Sequence, residues 1–304
     1  AYVNLVGILS QIKIKQYYPD IDRILEYLLK NPSISNPEEF GIFAINHLKC
    51  NPEFSDLITQ TQKINGGVRL KGVLSSLERF TVFTEVIKVS SIQDLIIEGF
   101  LTTLRRSLLF YVLEDHSLNT SLNFISCLAL HCYQNEYIFN VTEEEKEHLF
   151  TLEDEIKKAL LLNIQPSAAK LLILSCYGSL KNKSWISSIK ISNNIKGIYK
   201  VQVAEVAEEE LLGSTIPALT NIENETSNIV RAQYEENPYP RWKAVTSSIE
   251  PITVLALKKV ADIKFDDAPI LSCESLNVLV AGCGTGRHAI STAQRFKNCQ
   301  VLAI

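Results

Sequence analysis

Residues 276–290 read LNVLVAGCGTGRHAI, and the expectation for the fold turns on them. Asn277 to Ala281 is a short apolar run of β-formers, long enough for a buried parallel strand. Three glycines follow at alternate positions, Gly282, Gly284 and Gly286, and His288, Ala289 and Ile290 then enter a helical pattern. Strand, glycine turn and helix start together suit a nucleotide-like ligand. Glycine lets the backbone turn sharply and approach the ligand, and the helix N-terminus offers free N–H groups.

The spacing narrows the ligand. The dinucleotide fingerprint is G-x-G-x-x-G, whereas here the third glycine comes one residue early and Arg287 stands where that fingerprint wants glycine. A phosphate loop would need Gly-Lys-Ser/Thr, which is absent. GxGxG at the end of a strand resembles motif I of the class I S-adenosylmethionine (SAM) methyltransferases, in which the loop backs the methionine and ribose part of SAM. That family usually carries an acidic residue just before the first glycine; this chain carries Ala281. NAD binding and a purely structural turn are the alternatives. Cys283 as a catalytic nucleophile would need a His or Asp constellation, and none accompanies it, so it reads as a loop residue.

A second stretch, VRAQYEENPYPRW at residues 230–242, holds two prolines that exclude a helix interior. Composition alone makes it a linker packing aromatics on a domain. QYEENPYPRW followed by VLVAGCGTGRHAI, however, resembles one bacterial group of SAM-dependent methyltransferases, in which a helical N-terminal region precedes the Rossmann domain. The group includes the rickettsial protein lysine methyltransferases, whose substrate is outer membrane protein B. FISCLALHCYQNEYIFNVTEEE (124–145) and IPALTNIENETSNIVRAQYEENPYPRW (216–242) match the same pattern. The likeness covers roughly residues 90 to 304.

The resemblance implies S-adenosyl-L-methionine as cofactor. Ala281, Gly282, Cys283, Gly284, Thr285 and Gly286 would line its site, with Arg287 and His288 on the helix side. Tyr234, Asn237, Pro238, Tyr239, Arg241 and Trp242 would lie over the cofactor or the pocket entrance, where an aromatic ring can attract the sulfonium. It also implies surface lysines of an outer membrane protein as acceptor, and a homodimer. The expected fold class is α/β, a Rossmann-like class I SAM methyltransferase domain preceded by an all-α region. The expected domains are a helical region 1–215 and, over 216–304, a connector with the first part of the SAM-binding domain. VLAI at 301–304 reads as a second Rossmann strand, so that domain is expected to continue beyond Ile304. A methyltransferase for a small molecule or another side chain, and a non-catalytic SAM-binding interaction protein, are the competing functions.

Bulk properties bound the rest. A chain of 304 residues has the length of two domains, and 46% hydrophobic with 21% charged residues is the balance of a globular protein. A net charge of −4 argues against binding nucleic acid through its phosphates. Seven cysteines are scattered without C-x-x-C spacing, so neither a metal site nor a disulfide framework is expected. No apolar run is long enough to span a bilayer, and the N-terminus lacks signal-peptide features. The expected compartment is the cytoplasm, where SAM is made. The chain contains no methionine, against the several expected of so apolar a sequence.

Upstream, periodicity and caps place helices at 21–30, from Pro37, at 53–62, over 91–114 and 120–139, from Thr142 to about 162, and at 167–177, while the apolar run 70–89 is ambiguous between helix and strand and is read as helix. Further helices are expected at 203–212 and 222–233, with 182–200 irregular. His47 reads as a surface or half-buried helix residue, and Arg105 and Arg106 as a solvated or salt-bridged face. Asn135, Glu136 and Tyr137 are expected to hold the turn after their helix. Glu205, Glu208, Glu209 and Glu210 read as a solvated helix face.

Overall fold

The structure is a computed structural model that describes residues 2–9, 11–32, 34, 36–62, 67–114, 118–217, 224–236, 250–256, 264 and 275–304. Its contacts divide into two units. One is Val6–Lys30 with Pro37–Pro217; the other is Ala1–Leu5, Asn31–Asn36 and Ala218–Ile304.

The first unit is helical, and its helices start where the sequence supplies caps. After α1 (Tyr2–Leu9), α2 (Pro19–Lys30) has Pro19 at its first position, Asp20 and Asp22 in its first turn and Lys30 in its last, each suited to the helix dipole. Its Leu25, Leu28 and Leu29 repeat at helical spacing and are buried. A 3₁₀ turn at Pro37–Glu39 precedes α3 (Gly41–Lys49), so Asn36-Pro37 opens a 3₁₀ turn and the α-helix begins four residues later. The Asn51 side chain accepts from the Glu53 and Phe54 N–H groups at the start of α4 (Pro52–Thr61). The ambiguous run 70–89 is two helices, α5 (Gly67–Leu77) and α6 (Thr81–Val89). Asp94 caps α7 (Leu95–Leu113), and α8 (Leu122–Gln134) follows. Thr142 and Glu145 form a capping box for α9 (Glu143–Leu161), and Ser167 caps α10 (Ala168–Leu174).

α6 packs against α2, α3 and α8, and α7 packs against α4, α9 and α10. Phe54 meets Phe80, Phe83 and Phe100 edge-on, with centroids 5.0–6.3 Å apart. The end of α6 is satisfied from α8: a His131 Nδ1 lies 3.0 Å from the Ile87 carbonyl, and the Gln134 amide donates to the Lys88 carbonyl at 2.8 Å. Glu136 and Tyr137 adopt left-handed φ of 51° and 56° after α8, and the Tyr137 N–H donates back to the Cys132 carbonyl at 2.9 Å. These residues hold the turn, as their position suggested.

Residues 180–213 are more ordered than their polar, β-branched composition implied. Two 3₁₀ turns lead to α11 (Lys196–Tyr199), a π-helical turn (Lys200–Ala204) and α12 (Glu205–Gly213). The π turn places Gln202 in the interior. There its Oε1 accepts from the Leu180 N–H at 3.1 Å and its Nε2 donates to the Ser175 carbonyl at 3.2 Å.

Gly41, the first residue of α3, lies against Ser90, the residue that ends α6. A Cβ there would overlap the Ser90 hydroxyl and stand 3.1 Å from the Ser90 Cβ. Rotating that hydroxyl away sacrifices its contact with Glu38, whose carboxylate also takes the Ser91 N–H at 3.0 Å. Gly41→Ala is expected to destabilise the unit by about 1–2 kcal/mol, the overpacking term exceeding the helix-propensity gain. Urea unfolding checks this, and Ser90→Gly in the same chain should restore the midpoint.

His47 lies deeper than expected of a surface residue. It is fully buried, stacked on Tyr17 at 4.8 Å, and its Nε2–H donates to an Asp22 carboxylate oxygen at 3.0 Å. Burial lowers its pKa below the ordinary value, and Asp22 offsets this only in part. The native state therefore binds fewer protons than the unfolded chain just below the ordinary histidine pKa of about 6.5. The resulting stability is complete above that pH and declines as the pH falls through it. Urea midpoints at pH 7.5 and 5.5 should show the loss, and His47→Gln should reduce the difference.

In the second unit α13 (Glu225–Glu236) is exposed along the residues whose burial is described. β1 (Leu276–Val280) pairs in parallel with β2 (Cys299–Ala303), in register from Leu276–Cys299 to Val280–Ala303. α14 (Arg287–Arg295) lies between them in sequence and packs against β2, burying Ala289 and Thr292. One further parallel bridge joins Ile252 to Phe296.

This corrects the expected fold class. Among the described residues the protein is mainly helical with a two-stranded parallel sheet, and it is not a Rossmann-like α/β fold. A doubly wound sheet needs more strands and helices over both faces. Here Leu276, Val278 and Val280 are at least half-buried, but the cross-strand neighbours Leu279 and Leu302 are 60% and 63% exposed, so only one face is covered. A strand–turn–helix pattern specifies a local unit and not the sheet that contains it. Among the described residues no helix is long and apolar enough to cross a membrane.

Candidate functional site

The loop between β1 and α14 and the first turn of that helix hold the residues singled out in the sequence from Ala281 to His288. All three glycines are left-handed: Gly282 at φ 72°, Gly284 at 53° and Gly286 at 83°. Side chains other than glycine rarely tolerate this, so the alternating glycines are what the backbone path requires. A Cβ placed on any of the three would meet nothing within 4 Å, so their outer side is open. Glycine serves backbone conformation here, and it leaves the front of the loop bare for a close ligand.

The first half of the loop is tied down by a residue the sequence reading did not single out. The Gly282 and Cys283 N–H groups both donate to the Ile304 carbonyl, at 2.6 and 2.9 Å, while the Ile304 N–H donates to the Val280 carbonyl at 3.0 Å. The cue available in the sequence was position, since Ile304 directly follows the second strand. Gly286 is the N-cap, its N–H donates to the Cys283 carbonyl at 3.0 Å, and no side chain caps the helix. An uncapped helix start directs N–H groups and a partial positive charge outward, an arrangement suited to a carboxylate or another anion.

The side chains around this path are few and accessible. Ala281 and His288 are exposed, and Cys283, Thr285 and Arg287 are half-buried. The Cys283 thiol points back to the Gly284 carbonyl at 3.7 Å, with no acid–base pair described beside it. Arg287 and His288 stand on the first turn of α14, directly after the last glycine.

Of the other expected contributors, only Tyr234 is among the described residues. Tyr234 is an exposed residue of α13, and α13 is not among the principal packing partners of β1, β2 or α14. Asn237, Pro238, Tyr239, Arg241 and Trp242 lie outside the described residues. No cluster of three or more His, Cys, Asp or Glu side chains that could hold a metal occurs among the described residues.

The helical unit has a polar centre of its own. Arg105, expected on a solvated or salt-bridged face, is 1% exposed, as is its partner Glu145, with 3.6 Å between guanidinium and carboxylate. Arg105 also donates to the Asn140 carbonyl at 2.6 Å and lies over the Tyr177 ring at 4.1 Å. The Tyr177 hydroxyl donates to Glu145 at 2.8 Å, and burial with the neighbouring carboxylate raises its pKa far above the ordinary value. Every named partner is a structural one, so this centre braces helices. Arg106, one residue on, pairs with Glu144 at the surface.

No protein-family model, curated protein or solved structure matches the chain.

Proposed function

We propose that this protein binds S-adenosyl-L-methionine at the Gly282–Gly286 loop and transfers its methyl group, with the side-chain amines of protein lysines as acceptors. The observation that carries this reading is the loop: three left-handed glycines with an open outer face, leading into an uncapped helix. The likeness of GxGxG and QYEENPYPRW to the bacterial methyltransferase group supplies the choice of SAM, and of an outer membrane protein as acceptor.

The residues fit such a group by their chemistry. The first-turn N–H groups of α14 suit the methionyl carboxylate, and the bare glycine backbone lets the ribose approach closely. SAM, when bound, supplies a methyl group already activated on a sulfonium. What remains for the chain is to hold the reactants in line, exclude water and keep the acceptor amine neutral. Ala281 offers no carboxylate for the methionyl ammonium, so that contact must come from another residue. The reading places the work in the cytoplasm and includes a homodimer.

Calorimetric titration with SAM, its demethylated product and NAD is the test. Saturable binding of SAM and of the product, without NAD binding, is expected, followed by methyl transfer to lysine-containing outer membrane protein fragments. Binding of NAD in place of SAM, or of neither, overturns the proposal. Binding of SAM without transfer to any acceptor favours the non-catalytic interaction protein.

A further inference from the structure

We propose that the helical unit carries a second, separate ligand site: a cleft for a small α-amino acid with an apolar side chain. The cleft lies where the end of α7, the last turns of α9 and the start of α10 meet, and it encloses about 390 Å3. That is within the range of small-ligand sites, roughly 300–1,000 Å3. Its accessible apolar floor comes from Ala159, Ile164 and Pro166, while Val112, Leu118 and Ile156 also line it but are buried.

One feature of its wall selects the ligand. Glu155 and Lys170 face each other across 2.8 Å, with side chains 38% and 22% exposed, so the pair is partly desolvated yet presents both charges to the cleft. Two other polar lining residues, Gln165 and Ser167, are committed to the fold. The Gln165 amide bonds the Ser188 carbonyl and the Lys190 N–H, and the Ser167 hydroxyl accepts from the Lys170 N–H.

A neutral pair beside an apolar floor discriminates by charge pattern. A lone carboxylate would gain Lys170 but meet Glu155, and a lone ammonium would gain Glu155 but meet Lys170. A zwitterion presents both charges on one carbon and can lie antiparallel to the pair, matching each end. Carboxylates and ammonium groups each take several hydrogen bonds, so the pair can receive the ligand without separating. An aliphatic side chain on the same carbon then covers Ala159, Ile164 and Pro166, and its burial adds affinity in proportion to its area.

The test uses the full chain and L-leucine as probe, followed by calorimetry or ligand-observed NMR. 4-Methylpentanoate lacks the ammonium and 3-methylbutylamine lacks the carboxylate; each should bind at least about tenfold more weakly than leucine. Glu155→Gln and Lys170→Met, both at partly exposed positions and checked for folding by circular dichroism, should each weaken leucine binding about tenfold or more. Gly284→Val should leave it unchanged, which separates this cleft from the SAM loop, since SAM also carries an α-amino acid group. Equal binding of the three probes, no saturable binding of leucine, or leucine binding indifferent to both cleft variants would overturn the proposal. So would loss of leucine binding in Gly284→Val.

Discussion

Gly284→Val is expected to weaken SAM binding about 100-fold while the far-UV helical signal stays unchanged. Two effects combine. Gly284 sits at φ 53°, where a β-branched residue is strained by about 1–3 kcal/mol, so the loop would shift to relieve it. The isopropyl group would also occupy the open side of the loop, where the ligand needs to approach the backbone. A 100-fold loss corresponds to about 2.7 kcal/mol, within the sum of strain and lost contact. The helices of the first unit contain none of the loop residues, so their signal should persist. Calorimetry on the variant decides the matter: unchanged affinity would show that the ligand is held elsewhere. The contrast with Gly41 is instructive. A side chain at Gly284 would meet no neighbour but an unfavourable backbone, whereas at Gly41 the obstacle is Ser90.

Arg105→Ala should give the largest loss of stability in the chain, about 3–5 kcal/mol. It would leave Glu145 buried without its cation and open space beside the Tyr177 ring. Glu145 would still accept from the Thr142 N–H at 2.9 Å and from the Tyr177 hydroxyl at 2.8 Å, so it would not be wholly bare. Those bonds place the expected figure below the full cost of an isolated buried charge. Arg105→Met with Glu145→Gln removes both charges and retains much of the volume, and it should recover at least half of the loss, because a buried ion pair gains little over well-packed neutral groups. Guanidinium unfolding of the two variants provides the comparison. An Arg105→Ala midpoint equal to that of the unaltered chain would mean that the guanidinium braces nothing.

Local physics was legible in the sequence. Thr142 and Glu145 announced a capping box because the two side chains need only each other and the adjacent backbone. Glu205, Glu208, Glu209 and Glu210 lie on a helix with no buried residue, as a run of carboxylates suggests, and Glu205 and Glu210 pair there with Lys200 and Lys181. The strand, the alternating glycines and the following helix start also fell close to their expected places, because φ preferences and short apolar runs act over a few residues. Ile304, which anchors the loop through its backbone, could not be identified by side-chain type, because every residue but proline carries the same N–H and carbonyl.

Burial and fold class required the tertiary structure. In α7 the apolar Leu95 and Ile96 are 85% and 52% exposed, while the charged Arg105 is sealed inside. A helix's own spacing cannot say which stripe meets a neighbour, and Arg105 is tolerated in the interior because Glu145, Asn140 and Tyr177 arrive from other parts of the chain. His47 is buried for the same reason, with Asp22 and Tyr17 supplied from 25 and 30 residues upstream. The glycine-loop sequence by itself determined a strand, a turn and a helix. Only the tertiary structure showed that two parallel strands with one covered face stand where the first part of a Rossmann-like domain was expected, because a sheet's extent is set by long-range pairing that no single segment encodes.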